Sequence, residues 1–438
     1  MIRRSEAPPL LHINTNSDLE FMISDNMSAP DRYRFPALLL LVFFLFFGLQ
    51  SASAQRQIAG VEGMPPVRFG ALAGGDYDGD GDEDVFLTGE LQDGTIHSAL
   101  YRFVERRVTP IPMQSPRITA VYQRVPFPKR DVKGGSVVWK DLNNDGMLDI
   151  LVTGLALEEV TTDSEVFRAA TDIYINGNGT FFINGLSRLP GVHNSRADAA
   201  DFNGDGIMDI VLGGETDTGV VLGVWVADSS GFYSPGPTTF EGLSLSSLDI
   251  ADMDDDGDQD FVVGGFTASG RPVVRLFRNN GDASFVEVDA DLPELYFASA
   301  SFGDIDFDGD SDILVSGGRL APTILRGSTT LHRNDGSGNF TQTETSLTGL
   351  FAGGSLFGDL DGDTDLDFVT WGQQDLSDPE SQKLLLYENI DLSFLQIANL
   401  RGVLFGTLNW FDSDGNGRLD ILLTGEQEGE LIITLFEF

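Results

Sequence analysis

Seven segments of the chain place oxygen-bearing side chains at positions 1, 3, 5 and 9 of a nine-residue stretch. They read DYDGDGDED, DLNNDGMLD, DFNGDGIMD, DMDDDGDQD, DIDFDGDSD, DLDGDTDLD and DSDGNGRLD. The candidate ligands are Asp76, Asp78, Asp80 and Asp84 in the first, and Asp141, Asn143, Asp145 and Asp149 in the second. The third and fourth offer Asp201, Asn203, Asp205, Asp209 and Asp252, Asp254, Asp256, Asp260. The fifth and sixth offer Asp304, Asp306, Asp308, Asp312 and Asp359, Asp361, Asp363, Asp367, and the seventh Asp412, Asp414, Asn416 and Asp420. An all-oxygen set suits a hard cation, and calcium takes six to eight oxygens at roughly 2.3–2.6 Å. Carboxylates at positions 1, 3 and 5 converge only if the backbone turns tightly, which Gly at position 6 permits. Position 7 can add a backbone carbonyl, and Asp at position 9 is expected to close the site with both oxygens. Up to seven calcium ions are therefore expected. Asn143, Asn203 and Asn416 each remove a negative charge. Thr364 replaces the Gly, so the sixth loop is expected to bind more weakly or to turn slightly differently. EF-hands are excluded, because they need Glu at position 12, where this chain has Leu87, Val152, Leu212, Val263, Val315, Thr370 and Leu423.

The loops recur at start-to-start spacings of 65, 60, 51, 52, 55 and 53 residues, and such periodicity marks a repeat architecture. Each repeat reads as four strands. An apolar stretch such as SVVWKD, SASFGD or GSLFGD enters the loop, and a run ending in Gly (VFLTG, ILVTG, FVTWG) leaves it. A third strand (DIYIN, VVRLFRN, LLLYEN) and a turn such as NGNG or NNGD lead to a fourth. Asn-Gly and Gly-Asp pairs are hairpin signals. The expected fold is all-β: a seven-bladed β-propeller of four-stranded antiparallel blades, with a calcium loop between strands one and two of each. After the last loop only ILLTG and LIITLFEF remain. The segment at roughly residues 56–63 is expected to supply the missing fourth strand of the last blade and so close the ring.

With 27 basic against 68 acidic residues, the net charge is -41. Such a surface repels nucleic acid. A hydrophobic fraction of 41% rules out disorder for the bulk of the chain, leaving bound cations or a saline habitat as the reasons for the acidity. There is no Cys, so no disulfide stiffens the protein. Residues 37–49, ALLLLVFFLFFGL, follow Arg32 and Arg34 and precede Ala52-Ser53-Ala54, the pattern of an export signal cut after Ala54. The expected organisation is a signal over 1–54, with Met27 as a possible true start, and a propeller over 55–438. An uncleaved anchor is the alternative; no second apolar run follows. The protein is thus expected to be secreted, periplasmic or on the cell surface, with no membrane span after cleavage, and monomeric.

The seven Asp loops, the pairs Phe69-Gly70, Phe302-Gly303, Phe357-Gly358 and Phe405-Gly406, and the turns ahead of an aromatic resemble the FG-GAP/VCBS-type repeats of integrin α-subunit propellers and of bacterial secreted proteins. The resemblance covers nearly all of the chain after the signal. It implies a seven-bladed ring with one calcium per loop. It does not imply integrin ligand binding, since no D-x-S-x-S metal site and no inserted domain are found.

The expected function is an interaction or adhesion module for an extracellular protein or glycan. The rival class is a calcium-stabilised polysaccharide lyase or glycoside hydrolase. His97, His193 and His332 sit at unrelated places in the repeat, and neither G-x-S-x-G nor H-E-x-x-H occurs. Three departures from the repeat are candidates for a binding surface. Residues 101–133 carry Arg102, Arg106, Arg107, Arg117, Arg124, Lys129, Arg130 and Lys133, either for an anionic partner or to pair with the molecule's own acids. Trp371 stands where other repeats have a small residue, either to stack on a sugar or to fill a wider gap. Leu155–Thr171, Arg319–Thr330 and Gln373–Lys383 read as long loops after strand two. A ligand is therefore expected on the face opposite the calcium loops, near Trp371.

Overall fold

The computed structural model describes residues 57–112, 115–160, 165–321, 324–343, 345–375, 377–413, 416 and 418–438. The expected export signal over 1–54 and the ligand Asp414 lie outside them. Strand β1 (Gln57–Glu62) precedes the first repeat. The first unit comprises β2 (Arg68–Gly75), β3 (Asp84–Glu90), β4 (Ile96–Thr109) and β5 (Arg117–Val125). The second has an interrupted first strand, β6 (Val132–Lys133) and β7 (Val137–Lys140), then β8 (Asp149–Val160), β9 (Glu165–Asn176) and β10 (Phe181–Ile183). The third holds β11 (His193–Ala200), β12 (Asp209–Thr216), β13 (Gly219–Ala227) and β14 (Tyr233–Pro235). The fourth holds β15 (Leu243–Ala251), β16 (Asp260–Thr267), β17 (Pro272–Asn279) and β18 (Phe285–Val288). The fifth holds β19 (Tyr296–Gly303), β20 (Asp312–Ala321), β21 (Ile324–Asn334) and β22 (Phe340–Thr343). The sixth holds β23 (Phe351–Gly358), β24 (Asp367–Gln373), β25 (Gln382–Ile390) and β26 (Ser393–Leu400). The last has β27 (Leu404–Phe411), β28 (Asp420–Gln427) and β29 (Glu430–Glu437). Neighbouring strands within each unit pair antiparallel, and the fold is all-β and propeller-like.

The pattern of each strand follows from its place in the unit. Second strands are buried on both faces, so β3, β16 and β28 read as near-continuous apolar runs. The fourth strands β10, β14, β18 and β22 are short edges, and β18 buries Phe285 while exposing Val286 and Glu287. First strands are rich in Gly, Ala and Ser because neighbouring units crowd them. A Cβ on Gly303 would come within 2.7 Å of the Phe357 ring, and one on Gly75 within 2.9 Å of Trp139.

Apolar clusters join each unit to the next. Phe86 packs with Ile150, Leu151 with Ile210, Phe202 with Phe261, and Val262 with Ile313. Leu314 packs with Phe368, and Val369 with Ile421. A further cluster brings Leu422 and Leu435 of the last unit against Leu72, Val85 and Tyr122 of the first. Across the same junction, Val67 N donates to Thr424 Oγ1 and Arg68 bonds Glu426 at 3.0 Å. β1 lies at this junction: Gln57–Ala59 pair antiparallel with β29, and Gly60–Glu62 pair in parallel with β5.

Two sequence expectations are corrected. Leu155–Thr171 is no loop over its described part, because β8 and β9 keep their ladder out to Val160 opposite Glu165. Arg319–Thr330 likewise continues β20 and β21 to Ala321 opposite Ile324. The four FG pairs are not equivalent. Phe69 and Phe405 sit at bulges opening their first strands, with φ of 50° and 51°, whereas Phe302 and Phe357 close theirs.

Candidate metal centres

Each Asp loop joins the end of a first strand to the start of a second, and its own carboxylates shape it. At position 1, Asp76 accepts from the Gly79 and Asp80 amides on Oδ1 and from Gly81 N on Oδ2. Asp141, Asp201 and Asp252 hold the amides of positions 5 and 6 in the same way. Position 6 needs a left-handed backbone, with φ of 92° at Gly81 and 83° at Gly206. Thr364 adopts φ of 81°, and its N–H still donates to Asp359 Oδ2 at 3.1 Å. The sixth loop therefore keeps the position-6 contact, while its position-5 amide, from Asp363, goes to Asp361 Oδ1 at 3.2 Å and not to Asp359, a slight difference in the turn.

Position 9 does a different job from the one its spacing suggested. Asp84, Asp149, Asp209, Asp260, Asp312, Asp367 and Asp420 are all essentially buried. In each, Oδ2 accepts the position-2 amide at 2.9–3.4 Å. Oδ1 accepts an amide at 2.7–3.1 Å, in the first unit from Phe103 at the bulge within β4 and in the others from the end of the third strand or just beyond it. Both oxygens already serve the backbone, so a cation closed in by this carboxylate would share them with those amides. The residue first fastens strand three to the loop. Burial pushes Asp84 and Asp260 up to about 7, and Asp149, Asp209, Asp312 and Asp367 up to about 6.

Carboxylate oxygens within 4.8 Å of one another bring together Asp76, Asp78 and Asp84; Asp252, Asp254 and Asp260; and Asp359, Asp361 and Asp367. In the fifth loop the group is Asp304, Asp306 and Asp308. Asp80, Asp256, Asp363 and Asp312 stand outside these groups. In the second and third loops the position-3 amide donates to position 5, Asn143 to Asp145 at 3.0 Å and Asn203 to Asp205 at 3.1 Å. In the seventh, Asp412 Oδ1 accepts the Asn416 amide. Position 3 is the strained charge. Burial, then the neighbouring position-5 carboxylate, raises Asp78, Asp254 and Asp361 above the usual range. Asp254 Oδ1, Asp304 Oδ1 and Asp306 Oδ1 are buried without a hydrogen-bond donor. A divalent cation fits this donor set, because it would satisfy the orphaned oxygens and cancel the repulsion.

Two sets of neighbours were missed in the sequence. Arg102, Arg278 and Arg333, from third strands, approach Asp78 at 3.9 Å, Asp254 at 3.6 Å and Asp306. The Asn that ends several third strands spans adjacent units. Asn176 Nδ2 donates to Tyr77 O, Asn279 to Phe202 O, Asn334 to Met253 O and Asn389 to Ile305 O, at 2.5–2.9 Å. Those Asn residues stand in the strand motifs, but nothing local announces a partner about eighty positions away.

The other candidates resolve differently. Trp371 is 7% exposed and packs in the cluster between the sixth and last units. Its ring lies over Gly354, directly opposite in the ladder, where a Cβ would meet it at 2.5 Å. It fills space, and its role as a sugar platform is corrected. Most of the basic segment is spent internally: Arg106 on Glu437, Arg107 on Glu62 and Glu105, Lys133 on Glu90, Arg130 on Asp172 and Lys129 on Asp131. His97 bonds the Tyr101 hydroxyl at 2.7 Å, and burial lowers it to about 4. His332 bonds Thr330, and His193 lies 4.0 Å from Glu215.

Residues 141–212 and 252–315 match the FG-GAP-like repeat family. No curated protein sequence matches the chain. Among solved structures, YjhT is 14% identical, with 76% of this chain and 98% of that one covered at a TM-score of 0.45. The Dos1 propeller is 10% identical, with 87% and 95% covered at 0.45. A protein of unknown function from Dyadobacter fermentans is 13% identical, with 88% and 98% covered at 0.40.

Proposed function

Since the chain carries FG-GAP-like repeats, we propose that it is a secreted, calcium-binding propeller of seven blades serving as an interaction module for an extracellular protein or glycan. The observation that supports calcium most directly is the buried, donor-less carboxylate oxygen in the fourth and fifth loops, at Asp254, Asp304 and Asp306. Calcium would be held by carboxylate or amide oxygens of positions 1, 3 and 5, a single oxygen of position 9, and the position-7 carbonyl. It would cancel charge that the loops otherwise gather at a cost. Closure of the ring is the role proposed for β1, which lies between β29 and β5. A closed, metal-stiffened ring is a rigid platform, and recognition on such scaffolds falls to loops and strand ends. The first-strand bulges expose Phe69, Phe297 and Phe405 at 40–47%, at the strand ends away from the Asp loops, which favours that face for a partner. The experiment is a glycan and extracellular-protein binding screen of the exported chain with calcium and with chelator. Calcium-dependent capture of a defined ligand is expected; no ligand under either condition would overturn the module. Amino-terminal sequencing of exported material should begin at Gln55, and retention of residues 1–54 would overturn cleavage.

A further inference from the structure

The first strands of all the units converge on one cavity. Phe69, Gly135, Arg196, Ser246, Phe297, Gly353 and Phe405, one from each repeat, line a space of about 370 Å³ at the strand ends away from the Asp loops. A second, deeper space of about 190 Å³ continues from it past Arg196, Gly353 and Trp371. The mouth is aromatic. Phe69 and Phe405 meet with centroids 4.8 Å apart and planes tilted by 36°, and Phe266 meets Phe297 at 5.5 Å. Arg196 stands between the two spaces. Its Nη1 donates to the carbonyls of Ser195 at 2.9 Å and Gly135 at 3.4 Å. Among the described residues no carboxylate pairs with it, and burial alone acts on it, lowering its pKa. Glu215 at the rim is engaged instead by Asn194 Nδ2 and Ser244 Oγ.

A half-buried guanidinium without a counter-charge is costly. It is also odd in a chain of net charge -41, where acids are abundant. We propose that the axial cavity binds a ligand with an apolar body and a carboxylate, the carboxylate on Arg196 and the body against Phe69, Phe297 and Phe405. The guanidinium fork matches a carboxylate with two parallel hydrogen bonds. The ring faces supply the apolar surface that a drug-sized ligand buries. A free organic acid and the C-terminal residue of a peptide share this chemistry. The inference deepens the interaction-module reading and rests on it for a binding role.

The test is calorimetric titration of the calcium-treated protein with 3-phenylpropionate, with its neutral amide, and with a hexapeptide ending in Phe as free acid or C-terminal amide. At least one acid should bind tenfold or more tighter than its amide, and which acid does so identifies the source. Arg196→Met should erase the acid-over-amide preference without lowering the melting temperature. Phe405→Ala should weaken acid and amide alike, at least threefold, and leave their ratio unchanged. Equal binding of acid and amide, binding of neither acid, or a preference that survives in Arg196→Met would overturn the proposal. The screen for glycan and protein partners can fail while this titration succeeds, and the reverse, so the two readings fall separately.

Discussion

At the scale of single residues, the loops separate two kinds of aspartate that share one motif. Asp209 accepts two backbone amides from a buried position, whereas Asp205 is exposed. Hydrogen bonds to a charged group contribute about 1.5–3 kcal/mol each. Asp209→Ala is therefore expected to cost about 3 kcal/mol or more in chelator and in calcium alike, read by denaturant unfolding. Asp205→Ala should leave the chelated protein nearly unchanged and lose only the calcium-dependent increment. Equal losses in chelator would contradict the division. Thr364 gives a second test, because a β-branched residue at φ of 81° carries about 1–2 kcal/mol of steric cost. Thr364→Gly should raise stability by about 1 kcal/mol, and a fall would show that the threonine is not strained. The candidate ligands were legible because their spacing recurs. The double backbone role of position 9 was not, since its second donor arrives from a third strand 18 to 27 residues later.

At the scale of elements, the junction between units depends on polar clasps as well as apolar packing. Asn334 reaches Met253 O and Ser311 O, and its Oδ1 accepts from Gly336 and Gly338. Asn334→Ala strands buried carbonyls in two units and should cost about 2–4 kcal/mol. Asn280→Ala, whose amide serves only its own turn, should cost under about 1 kcal/mol by the same measurement. Comparable losses would mean that the clasp does not couple the units. Strand order within each unit could be read from apolar runs and Asn-Gly turns. The hairpin arms beyond Gly154 and Gly318 could not, because the Gly closing each apolar run reads as the end of a strand while the ladder continues past it. Trp371 was ambiguous for a related reason: the glycine that makes room for it, Gly354, lies on another strand.

At the scale of the whole molecule, the first and last described strands meet. Arg106 clamps Glu437 through two bonds, and β1 lies between β29 and β5. Removing residues 57–62 should free the edge of β29, and an open edge invites association. Light scattering should then show a larger assembly than the intact chain forms at the same concentration; a deletion variant of the same size state and unchanged melting temperature would contradict closure by β1. Part of the chain's acidity is concentrated at this scale as well. Positions 1, 3, 5 and 9 of the seven motifs hold 25 of the 68 acidic residues, and in four of the loops the fold brings three of them close together. Each ion bound at a hundred times its dissociation constant stabilises the fold by about 2.7 kcal/mol. The most direct measurement is calcium stoichiometry by equilibrium dialysis, paired with the thermal midpoint of the same samples. The account predicts about one calcium per loop and a midpoint raised by many degrees over the chelated protein. A chain that takes up no calcium and melts at the same temperature in chelator would contradict it.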